Sequence, residues 1–242
     1  MNVAVLVDII KETKANWRFV FEDPLANQIN MISGMLVQLC CKPGDEGSVV
    51  RNYSVASWQD GTNRFELIIT NLEGGAMSDY LFKEAKIGDE FIYRGPMGVF
   101  TLPDNLMERD IYMVSTGSGI SPFRSMINDI FNSKKEFKNI KLFFGTRKQE
   151  DICYWDEMKL IETILPNFEF MEGDIRNLQT CNDVMFEIDY VIHQAALGSV
   201  PRSIKDPILT NQVNIDGFWV KVKSTINNRE YQGYVFDGYL KK

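Results

Sequence analysis

Short apolar runs recur along the first hundred residues, each closed by a cluster of breakers. The runs are VAVLVDII, WRFVFED, GMLVQLCC, RNYSVAS, RFELIIT, EFIYRGP and VFTL. KPGDEG, WQDGTN and PMG lie between them and supply the Gly, Pro, Asp and Asn of turns. Six or seven strands at this spacing predict a small antiparallel barrel. One helix interrupts the series: GGAMSDYLFKEA sets Met77, Tyr80 and Leu81 at helical spacing.

The pattern changes near Asp110. DIYMVS is a continuous apolar run, followed by TGSGISPF and a helical stretch, FRSMINDIFNS. NIKLFFGT is a second buried run and leads to a helix near YWDEMKLIETIL. FEFMEGD and DYVIHQAA continue the strands. Strand, helix, strand, helix predicts a parallel sheet covered on both faces. The fold class is therefore an antiparallel β barrel followed by an α/β domain, with a boundary near 103–110. DYVIHQAA carries His193, the single histidine of the chain. In so apolar a run a neutral histidine satisfied by the backbone is the expectation.

Charge removes several classes of function. Twenty-six basic residues against 33 acidic ones give a net charge of −7. That disfavours nucleic acid and anionic membrane, both of which need a basic face, although 133–149 could form a local basic patch. No apolar run reaches the roughly 18 residues of a membrane span. MNVAVLVDIIKETK lacks the features of a signal peptide, so a cytoplasmic location is expected. Cys40, Cys41, Cys153 and Cys181 show no CxxC spacing, and with one histidine they argue against a metal site. Adjacent Cys40 and Cys41 are expected to be reduced strand residues.

Four stretches carry chemistry. In Arg51-Asn52-Tyr53-Ser54, strand alternation puts Arg51 and Tyr53 on one face and Ser54 on the other. An arginine pairs with phosphate and a tyrosine stacks on a planar ring; plain barrel surface is the alternative. Gly74-Gly75-Ala76-Met77-Ser78 opens a helix, whose first amides bind phosphate where glycine permits approach. Ser115-Thr116-Gly117-Ser118-Gly119-Ile120-Ser121-Pro122-Phe123 follows an apolar strand and opens a helix, the context of a dinucleotide loop. Pro122 stands where GxGxxG has its third glycine, and it suits a first helical turn. Gly145-Thr146-Arg147 lies at the carboxyl edge of the parallel sheet, where Arg147 could meet an adenosine ribose or its phosphate.

In this order the four stretches resemble the ferredoxin–NADP⁺ reductase superfamily over about residues 1–170. RNYS resembles its flavin motif, GGAMS its flavin-phosphate turn, GPMGVFTL the barrel's closing strand and STGSGISPF its nicotinamide loop. FFGTRKQEDICYWDE resembles the second strand and helix of its dinucleotide domain. The resemblance implies a flavin-binding β-barrel domain at 1–105 and an NAD(P)-binding α/β domain at 106–242. It implies FAD, with FMN as the alternative, and NADP or NAD. Tyr53 would stack on the isoalloxazine, and Ser54 would hydrogen-bond near N5, the atom that takes the hydride; these two are the implied catalytic residues. Arg51 and the backbone of Gly75, Ala76, Met77 and Ser78 would hold the flavin phosphate. Thr116 would lie between flavin and nicotinamide, and Gly117 and Gly119 would let the dinucleotide cross. The implied activity is electron transfer between NAD(P)H and a small carrier such as ferredoxin or flavodoxin, or an oxygenase component. Arg147 leans to NADPH.

After NFEF the text changes. MEGDIRNLQTCNDVMFEIDYVIHQAALGSVPRSIKDPILTNQVNIDGF, about 167–218, resembles the extended short-chain sugar-nucleotide epimerases. Carried over, Asp174 and Ile175 would face adenine, Ala195 and Ala196 the NAD ribose, and Gly198, Ser199 and Arg202 a sugar pocket. That family needs Tyr-x-x-x-Lys, and no tyrosine here has lysine four residues on. Epimerase chemistry is therefore disfavoured, and the stretch is expected to replace a strand and helix of the second domain. STINNREYQGYVFDGYLKK resembles a further reductase stretch, so the chain reads as a mosaic after about 167. The alternatives are a chimeric flavin- and nucleotide-binding protein without redox turnover, or an epimerase-like NAD-binding protein.

Overall fold

In the computed structural model the alternating runs of the first hundred residues form six antiparallel strands. The structure describes residues 2–41, 48–102, 105, 108–146, 148–173, 179, 183, 188–194, 219–226 and 229–236. The strands are β1 (Asn2–Lys11), β2 (Asn16–Glu22), β3 (Leu36–Cys41), β4 (Val49–Ser54), β5 (Arg64–Thr70) and β6 (Glu90–Met97). They lie in the order β4-β3-β6-β1-β2-β5. Ala56 N–H donates to Glu66 O at 2.8 Å, so the chain leaving β4 meets β5 and curls the sheet towards closure.

Strand alternation supplies the barrel core. Ala4, Leu6, Phe19, Phe21, Phe65 and Phe91 are fully buried inside it. Phe21 stacks on Phe65 at 5.3 Å and meets the edge of Phe91 at 5.2 Å. One polar pair crosses this core: Tyr93 Oη donates to Asp23 Oδ2 at 2.7 Å. Asp23 Oδ1 accepts from the Leu25 and Ala26 amides at 2.9 and 3.2 Å and so fixes the loop after β2. Burial, and then the hydrogen bond to Asp23, push the Tyr93 phenol up to about 12, so it stays a donor at any working pH. Tyr93→Phe strands a buried carboxylate oxygen. A loss of about 2 kcal/mol in urea unfolding is expected, with the slope unchanged.

VFTL, expected as a strand, is not one. Gly98 has φ 111°, and the residues after it join no ladder, with Thr101 N–H turning back to Val99 O at 2.9 Å. Their apolar side chains serve another core: Phe100 lies 6.0 Å from Phe123, and Leu102 packs on the same cluster. Apolar spacing alone cannot distinguish a strand from a segment that crosses between two cores.

The second sheet is parallel, in the order β10-β7-β8-β9, with β7 (Asp110–Thr116), β8 (Asn139–Gly145), β9 (Phe168–Gly173) and β10 (Tyr190–His193). Helices α2 (Ser121–Ser133) and α3 (Trp155–Ile164) link β7 to β8 and β8 to β9, while α1 (Ala76–Lys83) belongs to the first half. Ile111, Met113, Phe123, Ile127, Leu142 and Met158 are among the buried residues that join this sheet to its helices. DYVIHQAA supplies β10, as expected, over Tyr190–His193. It lies parallel to β7, with Tyr190 opposite Ile111 and His193 opposite Val114. Its start is anchored: Asp110 N–H donates to Asp189 Oδ2 at 2.9 Å and Asp189 N–H to Asp110 O at 3.0 Å. The helix expected after it lies outside the described residues. Near the end of the chain, β11 (Trp219–Ile226) and β12 (Arg229–Phe236) form a separate antiparallel pair.

Candidate functional site

β4 carries the first motif at the edge of the barrel sheet. Tyr53 pairs with Val37, Arg51 with Leu39 and Ser54 with Leu36, so Arg51 and Tyr53 share a face and Ser54 takes the other. Tyr53 is half-buried against the barrel core, and Arg51 is exposed. Burial pushes the Tyr53 phenol up to about 12, against the pull of the Arg51 cation. At neutral pH the ring is therefore uncharged and free to stack.

The second motif sits at the mouth of α1, which packs beside β4. Gly74 has φ 76°, a left-handed turn that glycine accepts without cost. Gly75 is the N-cap, and a Cβ there would lie 2.8 Å from Ser78 Oγ and 3.0 Å from Leu72 O. The turn is closed from inside: Ser78 Oγ donates to Leu72 O at 2.6 Å, and Gly75 N–H reaches the same carbonyl at 2.9 Å. The first intrahelical bond is Asp79 N–H to Gly75 O at 2.7 Å. The amides of Ala76, Met77 and Ser78 thus have no acceptor within the helix. Met77 is buried in the barrel core, so it can offer a ligand only its backbone. These donors, with Arg51 on the neighbouring strand, fit a flavin diphosphate.

The third motif is a 3-10 turn, Gly117–Ile120, running straight into α2. Thr116 ends β7, opposite Gly145 of β8. Pro122 falls in the first turn of α2, where its missing N–H costs nothing. The two glycines do different things. Gly117 has φ 52° and open space where a Cβ would be, which leaves room for a ligand. At Gly119 a Cβ would stand 2.7 Å from Gln194 O, so this glycine makes room for the end of β10. Arg147 and Asp174 lie outside the described residues, as do Ile175, Ala195, Ala196, Gly198, Ser199 and Arg202.

What ties the motifs together was not expected from sequence. Two residues after Ser54, the Ala56 carbonyl accepts from Arg124 Nη1 at 2.9 Å, and the Ser57 carbonyl accepts from Ser125 Oγ at 2.5 Å. Arg124 and Ser125 belong to α2, the helix opened by the third motif. Arg124 also holds Glu66 of β5 at 2.6 Å and both oxygens of Glu157 of α3. Its guanidinium lies 4.3 Å from the Tyr154 ring. Tyr154 itself is buried at a left-handed φ of 59°. In sequence the only local trace is that FRSMIN sets Arg124 and Asn128 one turn apart beside Phe123 and Ile127, and the structure buries all four. At Gly34, φ 99°, an added Cβ would lie 2.0 Å from Phe100 O and 2.5 Å from Met126 Cε, which locks the linker against α2 as well. A cavity of about 430 Å³, lined by Asp8, Ser57, Asp60, Arg64 and Glu66 among others, shares no residue with the motifs and is not their site.

Residues 4–102 match the oxidoreductase FAD-binding domain family and residues 113–186 the oxidoreductase NAD-binding domain family. Both domains resemble those of the ferredoxin–NADP⁺ reductase superfamily. The first match is to a FAD-binding domain of oxidoreductases and the second to an NAD-binding domain of oxidoreductases. Ferredoxin–NADP reductase B of Sorangium cellulosum is 37% identical over 115 residues, which are 48% of this chain and 46% of that protein. The 2-halobenzoate 1,2-dioxygenase electron transfer component of Burkholderia cepacia is 25% identical over 92% of this chain and 68% of its own length. The chain spans about half the length of most of the curated relatives it matches. The FAD/NAD-binding domain of the nitric oxide dioxygenase of Vibrio cholerae shares the fold, with a TM-score of 0.63 at 17% identity over 71% of this chain and 73% of that one. The NAD-binding match runs past residue 167, to residue 186, so it covers the start of the stretch expected from sequence to be an insert. Among the described residues no helix is long and apolar enough to cross a membrane, and no cluster is placed to hold a metal ion.

Proposed function

We propose that the chain passes electrons from NADPH or NADH through bound FAD to a small carrier protein or an oxygenase component. Bound flavin supplies the hydride acceptor, and the protein supplies position. Tyr53 offers a neutral ring to the isoalloxazine and Ser54 a hydroxyl near its reacting edge. Arg51 and the amides of Ala76–Ser78 hold the diphosphate, while Thr116 and Gly117 form the floor for the nicotinamide. Gly119 belongs to this set by supporting the loop from below. No side-chain acid or base is needed for hydride transfer, only exclusion of water and alignment of two rings.

The observation that carries this reading is the contact of Arg124 and Ser125 with the Ala56 and Ser57 carbonyls. It fixes the helix of the dinucleotide loop to the strand end that follows RNYS. The partner class follows the names of the relatives, a ferredoxin reductase and the electron-transfer component of a dioxygenase. We read 167–218 as sheet material that supplies β10 rather than as an epimerase site. We assign 1–105 and 106–242 as the two domains and a cytoplasmic location. Arg147 and Asp174 are assigned to the adenosine half of the dinucleotide.

The test is an absorption spectrum of the purified protein after FAD supplementation, then anaerobic mixing with NADPH and with NADH. A yellow protein whose flavin band bleaches on mixing is the expected result. A protein that takes up no FAD overturns the proposal; one that binds FAD without bleaching is a binding protein without turnover.

A further inference from the structure

Strand β5 ends between the two loops that the proposed reaction needs. Thr70 is its last residue. Two positions on, Leu72 O closes the FAD-phosphate turn by accepting from Ser78 Oγ and Gly75 N–H. On the other side, Thr70 Oγ1 lies 3.2 Å from Ser118 Oγ in the dinucleotide loop.

The protons in this contact can be assigned. A hydroxyl carries one proton and two lone pairs. Thr70 Oγ1 donates to Asn16 Oδ1 at 2.7 Å, and an amide oxygen can only accept. The bond to Ser118 must then run from the serine O–H to Thr70. Asn16 cannot turn away, because its backbone N–H and its Nδ2 both donate to Thr13 Oγ1, at 3.0 and 3.2 Å. Both residues are buried. The next residue is pinned too, by Asn71 N–H to Ala15 O at 2.7 Å. Ser118 therefore meets an acceptor fixed in place by a buried relay. Its own carbonyl accepts from Ser121 Oγ at 2.8 Å, which carries the placement to the start of α2.

We propose that Thr70 is a positioning residue that couples the two cofactor loops: by holding Ser118, it makes FAD on the 72–78 turn tighten the 115–120 loop for the dinucleotide. The inference rests on the flavin and dinucleotide reading given above. Coupling of binding energies is reciprocal, so NADP⁺ also tightens FAD. The contact is a single solvent-open hydrogen bond, so the expected coupling is about three- to fivefold.

The test uses the full chain and the variants Thr70→Val, Thr70→Ser and Ser118→Ala. NADP⁺ and NAD⁺ are titrated calorimetrically with and without saturating FAD. Amide hydrogen exchange of 115–121 is followed under the same conditions. In the wild type, FAD should tighten the better-bound dinucleotide about three- to fivefold and slow exchange in 115–121. In Thr70→Val and Ser118→Ala both effects should vanish while FAD affinity stays within about twofold of wild type. Thr70→Ser should restore them, since it keeps the acceptor. If Thr70→Val retains the FAD-dependent gain, or Thr70→Ser loses it equally, the hydroxyl does not couple the loops. A wild type that takes up FAD but shows no gain overturns the coupling alone; one that takes up no FAD overturns the functional reading beneath it.

Discussion

Arg124→Met should lower the melting temperature by roughly 6–12 °C, from a loss of about 3 kcal/mol. Methionine keeps the length and the apolar packing of the stem, so the loss isolates the charge. Arg124 Nη1 serves Glu66 Oε2 and the Ala56 carbonyl, while Nε and Nη2 serve Glu157. Removing it leaves the Ala56 carbonyl without this donor, Glu66 with Arg18 Nη1 at 3.4 Å and Glu157 with Asn128 Nδ2 at 2.5 Å, so two carboxylates face one another with their main cation gone. The side chains of Glu66 and Glu157 remain 21% and 28% exposed. Partial hydration puts the cost at the lower end of the range for broken buried pairs. Thermal unfolding followed by far-UV circular dichroism reads the effect, and a shift under about 2 °C would count against the assignment. Glu66→Gln in the methionine background should recover part of the loss by removing one of two facing carboxylate charges, which Arg18 at 3.4 Å only partly offsets. Arg124→Lys should not rescue, because one ammonium cannot span Glu66, Glu157 and the Ala56 carbonyl in the plane over Tyr154. Hydride transfer should slow in every variant that loosens this contact, because it joins the strand end after Ser54 to the helix of the dinucleotide loop.

The local parts of this site were legible in the sequence, and the long-range parts were not. RNYS, GGAMS and the loop before Pro122 depend on residue types whose consequences are local: strand alternation, left-handed glycines, a proline in a first turn. The structure finds each of these three motifs on the element expected for it. The chemistry of Arg124 depends on Glu66, 58 positions away, and an arginine on a helix reads as solvated until its partners are known. The contact of Thr70 with Ser118 spans 48 positions and is equally silent. The linker failed for a related reason. Phe100 and Leu102 are as apolar as any strand residue, yet they pack against the other core. DYVIHQAA predicts a strand from its apolar Tyr190–Ile192 and Ala195–Ala196. Its described part lies beside β7, with Tyr190–His193 in register and Gln194 N–H donating to Val114 O at 2.7 Å.

Gly75→Val should cost FAD about 10- to 100-fold in affinity, because the phosphate turn cannot hold its shape around a branched side chain. The backbone is not the obstacle: φ −80° and ψ 112° suit any residue. Space is. A Cβ would stand 2.8 Å from Ser78 Oγ and 3.0 Å from Leu72 O, so the serine hydroxyl must leave the Leu72 carbonyl. The amides of Ala76, Met77 and Ser78 then lose their common direction, and with it one or two charge-assisted bonds to phosphate. At neighbouring Gly74 the obstacle is reversed, with open space but φ 76°. Gly74→Ala should therefore strain the turn by about 1 kcal/mol and leave FAD binding largely intact. The measurement is quenching of flavin fluorescence on titration of the apoprotein with FAD and with riboflavin, which lacks phosphate. Wild type should prefer FAD strongly. In Gly75→Val the gap between the two affinities should narrow, since the amide share of the phosphate contribution is removed while Arg51 and the adenosine end are untouched. If Gly75→Val keeps the full wild-type preference for FAD, the phosphate is held somewhere other than the mouth of α1.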